Sequence, residues 1–85
     1  MVQTVRMGFE VSVVVVLLKP PGEALMVALD HKFESASHVA GTKIVTLTEH
    51  VSMSDEADAV EFVRSLVLDA VPPGSKISEL TSAPG

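Results

Sequence analysis

The chain has 85 residues, no cysteine, no tryptophan, no tyrosine and three phenylalanines, with a formal net charge of −5 and a mean hydropathy of +0.42. That length supports one core and no more, and a hydrophobic fraction of 47% excludes disorder over the bulk of the chain. The missing cysteines exclude disulfides, thiolate metal sites and a cysteine nucleophile, while the acidic balance argues against a general grip on nucleic acid or an anionic membrane.

Residues 4–18 alternate. The odd positions Val5, Met7, Phe9, Val11, Val13, Val15 and Leu17 are all apolar, and the even positions pass from Arg6, Gly8, Glu10 and Ser12 to Val14, Val16 and Leu18. This predicts a long strand, half-buried at its start and apolar on both faces at its end. The apolar run 11–18 closes at Lys19-Pro20-Pro21-Gly22. It is far short of the about 20 residues a spanning helix needs, and no small-residue cleavage pattern follows it, so a buried strand is expected rather than a membrane span or a signal peptide.

Residues 23–34 alternate in the reverse sense. The Pro-Pro-Gly turn predicts an antiparallel hairpin in which residue numbers sum to 42, with Leu17 facing Leu25, Val15 facing Val27, Val13 facing Leu29 and Val11 facing His31. On the other face Leu18, Val16 and Val14 meet Ala24, Met26 and Ala28, and Glu10 meets Lys32. A slip of one residue would set apolar against polar side chains, so this register is the expected one.

Residues 43–51 predict a third strand, antiparallel to the second, with Val45, Leu47 and Val51 on one side and Thr46, Thr48 and His50 on the other. Residues 55–71 carry apolar residues at helical spacing (Ala59, Val60, Phe62, Val63, Leu66, Val67, Ala70) and end at Pro72-Pro73-Gly74. Ser54, or Ser52 paired with Asp55, is the expected cap, and Asp55, Glu56 and Asp58 suit the positive end of the helix dipole. Residues 76–81 predict a short edge strand or a docked tail, and residues 81–85 a frayed end. The expected fold is α+β: a single domain over residues 1–80, forming a two-layer sandwich. An antiparallel three-stranded meander, with a fourth short C-terminal strand if the tail pairs, is covered on one face by a single helix in the order β-β-β-α-(β).

One helix covers one face of such a sheet. The other would carry Val14, Val16, Leu18, Ala24, Met26 and Ala28, an apolar patch that predicts self-association, with a symmetric dimer as the first expectation. The opposite side of the helix carries Asp55, Asp58, Glu61 and Asp69, a solvated stripe or a dock for a basic protein partner.

The sequence offers little chemistry. His31, His38 and His50 are spaced by seven and twelve residues, which matches no local metal motif, so no metal or cofactor is expected. Ser35 and Ser37 are conceivable nucleophiles, and His31 could meet Glu49 across two strands, but no oxyanion motif accompanies them and no catalytic residue is assigned. The six Lys and Arg residues are scattered, so nucleic acid is not an expected partner. The leading expectation is a non-enzymatic cytoplasmic interaction module. It would assemble with itself through the apolar face and present its acidic helix or the 35–42 loop to a protein. The alternative is a small-molecule-binding protein or enzyme with an oligomer-interface pocket near His31, Ser35 and His38.

Overall fold

The computed structural model describes residues 8–84. The elements in chain order are β1 (Phe9–Val16), α1 (Glu23–Lys32), β2 (Ser35–His38), β3 (Ile44–Val51), α2 (Glu56–Ala70) and β4 (Lys76–Pro84). The strands form one antiparallel sheet in the order β2-β3-β1-β4. The α+β class, the antiparallel sheet packed against helix and the order β-β-β-α-β all stand, with α1 inserted between the first two strands. Because β1 and β2 both run antiparallel to β3, they are parallel to each other with β3 between them. In the same way β3 and β4 flank β1. Two interleaved split βαβ units make the ferredoxin-like arrangement.

The expected hairpin of residues 23–34 is overturned. That segment is a ten-residue helix, and β1 pairs instead with β3, where residue numbers sum to 60 (Phe9 with Val51, Val13 with Leu47, Val15 with Val45). The physical reason lies in the residues themselves. Ala24 to Leu29 is an unbroken apolar run, so it satisfies the period of a strand and that of a helix equally. Ala, Leu and Met favour helix, and the inward positions Leu25, Met26, Leu29 and Phe33 are helically spaced. The expected first strand holds from Phe9 onward, and its first residues lie outside the described part of the chain.

The core lies between the helices and the odd-numbered face of the sheet. Val11, Val13 and Val15 of β1, Val45 and Leu47 of β3, and Ala59, Val63 and Val67 of α2 are fully buried. Leu29 and Phe33 close the cluster from the α1 side. Burying each such aliphatic side chain contributes roughly 1.5–3 kcal/mol before entropy is charged against it. Asp55 caps α2, one residue beyond the expected serine, accepting hydrogen bonds from the backbone N–H of Ala57 (2.8 Å) and Asp58 (3.3 Å). After α2, the Pro72 carbonyl accepts from the Ser75 N–H at 3.3 Å while Gly74 takes φ +89°. This is the geometry a Pro-Gly pair gives at the centre of a type II turn. The tail does not fray: residues 81–84 continue β4, which occupies one edge of the sheet beside β1.

Candidate functional site

Both helices lie on the odd face, so among the described residues no layer covers the even face of the sheet. The register arranges its side chains in rows. Ser35, Thr48, Ser12 and Thr81 make one row across all four strands, with the Ser12 and Thr48 hydroxyls 3.2 Å apart. Ser37, Thr46, Val14 and Glu79 make the next, and Ile44, Val16 and Lys76 the last. At the opposite end Glu10 lies between His50 and Ala83. The face is therefore a lattice of small hydroxyl side chains with one apolar corner, Val14, Val16 and Ile44. Ile44 is 37% exposed there, and Val39, 56% exposed, follows β2 at the same end.

The six residues expected to form one sheet face do not share one. Val14 and Val16 belong to it. Leu18 lies beyond β1 in the connection to α1, 68% exposed. Ala24, Met26 and Ala28 are on α1, and Met26 packs against the core. This placement is corrected for the reason that moved residues 23–34 into a helix. Ile44 takes their place beside Val16, a position readable from its alternation with Thr46, Thr48 and His50.

The histidines are dispersed. His31 sits exposed in the last turn of α1, not on a strand opposite Val11. Ser35 opens β2 on the uncovered face, and His38 closes β2 in the row of Val45, on the opposite face. The His38 Nε2 lies 2.8 Å from the Thr42 carbonyl, which ties it into the β2–β3 turn. The Thr42 hydroxyl donates to the Val39 carbonyl at 2.7 Å and accepts from the Ile44 N–H at 3.2 Å. The expected 35–42 loop is thus half strand and half a tied turn. Glu49, the proposed partner of His31, instead accepts a hydrogen bond from the Glu34 N–H at 3.0 Å. Among the described residues no three His, Asp or Glu side chains gather as a metal site. No helix of the described chain is long and apolar enough to cross a membrane.

On α2, Asp58, Glu61 and Asp69 are exposed, as is Asp55 at its cap. Phe62 (45% exposed) and Leu68 (52%) break the acidic character of that side. Neither the sequence nor the fold finds a match in the comparisons: no family model, no curated protein and no solved structure corresponds to this chain.

Proposed function

We propose that the protein is a non-enzymatic interaction module that pairs with a second copy through the uncovered face of its sheet. In the assembled form it presents the acidic side of α2, or the tied β2–β3 turn, to a protein partner. The carrying observation is the contiguity of Val14, Val16 and Ile44 on the face that no helix covers. Contiguous apolar side chains on an open sheet face support a contact there, since burying them against a partner removes them from water.

The composition of the face favours a second copy. Its hydroxyl rows and apolar corner are uncharged, and its charged side chains stand at the margins, Glu10 at one end and Glu79 and Lys76 on the edge strand β4, so a second copy can pair through the central rows and leave those charges at the rim. Three strands of eight or nine residues and the four-residue β2, about 4.8 Å apart with a rise of about 3.3 Å per residue, give a flat footprint of roughly 460 Å². That lies below the ~800 Å² per partner of a standard interface and in the range of a weak, reversible pair. The acidic residues of α2 lie in the other layer and stay exposed in such a pair.

Sedimentation velocity with light scattering on the wild type, beside a Val16→Asp/Ile44→Asp variant, tests this. The wild type is expected as a dimer and the variant as a folded monomer. A wild type that stays monomeric up to about 1 mM, the weakest affinity a useful contact would have, would sink the reading.

A further inference from the structure

The two proline-rich connections meet at one end of the molecule. Residues 17–22 lead from β1 to α1, and residues 71–75 lead from α2 to β4. The Leu18 side chain lies directly over Gly74, where an added Cβ would stand 2.5 Å from its Cδ1. Between these connections opens a groove of about 540 Å³. Its walls are Leu17, Leu18 and Leu25 with the proline pairs at 20–21 and 72–73, and Lys19 and Gly22 complete the lining.

We propose that this groove is a binding site for a small aliphatic carboxylate. The alkyl chain would lie against the leucines and prolines, with the carboxylate at the Lys19 ammonium. Three features select that chemistry. The volume falls within the range of small-ligand pockets. Proline contributes no N–H and holds its φ fixed, so the walls offer few polar partners and keep their shape before a ligand arrives. Lys19 is the one charged side chain among the lining residues. An anionic head group meets a complementary charge there, and an ammonium head group meets a like one. Peptide recognition by stacking is not favoured, because the lining carries no aromatic side chain. Leu18, held 68% exposed over Gly74, is the apolar surface that a bound chain would cover. The site does not rest on self-association, since its lining residues lie outside the paired rows of the sheet.

The test is a titration of the full chain, followed by backbone amide shifts, with octanoate and octylamine below their micelle concentrations and octan-1-ol below its solubility limit. Octanoate is expected to bind with a dissociation constant on the order of 1 mM or tighter. Its shifts should concentrate in residues 17–25 and 71–76, and octanol and then octylamine should follow in affinity. Lys19→Glu should weaken octanoate roughly tenfold and leave octanol within about twofold, as expected for reversal of one nearby charge. Leu18→Asp should weaken octanoate and octanol together. Both side chains are exposed, and a thermal melt of each variant verifies its fold; Lys19→Glu alone decides if Leu18→Asp unfolds. Octylamine binding as tightly as octanoate, shifts scattered over the molecule, or no saturable binding would each overturn the proposal.

Discussion

Single positions carry constraints that their neighbours do not. Gly8 has φ +142° where it leads into β1, and a Cβ there would stand 2.2 Å from the Val51 carbonyl oxygen. The obstructing atom is backbone held in the β1–β3 pairing, so it cannot rotate aside. Gly8→Ala is therefore expected to cost about 1–3 kcal/mol, lowering the thermal midpoint by several degrees or more, as a calorimetric scan would show. Gly74 poses a milder case, because the nearest atom is the end of a flexible leucine and the conformational strain dominates. At Asp55 a single carboxylate satisfies two of the backbone donors that the first turn of α2 leaves open. The acid expected to face a partner is thus partly committed to the helix it begins.

At the scale of elements, α1 is the informative one. Leu29 is its fully buried residue, and Val27 is 51% exposed. Leu29→Ala is expected to lose about 2–4 kcal/mol by the transfer and cavity terms. Val27→Ala should change stability by less than about 0.5 kcal/mol, since it gives up little burial and gains helix propensity. Denaturant unfolding of the pair separates a helix from a strand. In a strand paired with β1, Val27 would face Val15 in the core and its truncation would cost nearly as much as that of Leu29. The two edges of the sheet also differ. β2 has four residues and β4 nine, and β4 shifts register between its partners Val14 and Val15. A bulge of this kind twists an edge strand away from uncontrolled pairing, which disfavours edge-to-edge association through β4.

For the whole molecule, assembly and stability are linked. If pairing through the uncovered face belongs to the native state, mass action makes the thermal midpoint rise with protein concentration. A calorimetric series over two decades of concentration is expected to show that rise for the wild type and not for the Val16→Asp/Ile44→Asp variant. A wild-type midpoint independent of concentration would argue against the dimer. The proline groove and the sheet face are separate surfaces, so binding at one is expected to survive loss of the other.

The residues by themselves determined the class of the fold and much of its core. The alternation of Val11, Val13 and Val15, and that of Val45 and Leu47, marked the buried face of the sheet, and the three- and four-residue spacing of Ala59, Val60, Val63, Leu66, Val67 and Ala70 marked a helix. The same patterns placed Val14 and Val16 on the uncovered face. Residues 23–34 and the partners of β1 were decided by the tertiary structure alone. The apolar run from Ala24 to Leu29 satisfies either period, so local pattern leaves it undetermined. β1 has two edges, and a nearby segment and two distant ones compete for them. β3 takes one edge over eight residues, matching Val13 to Leu47 and Ser12 to Thr48, and β4 takes the other. With both edges filled, residues 23–32 satisfy their backbone groups within a helix and bury Leu29 over the sheet. The proline groove has the same origin: its two halves are some fifty residues apart in sequence, and only the split βαβ topology brings them to one end.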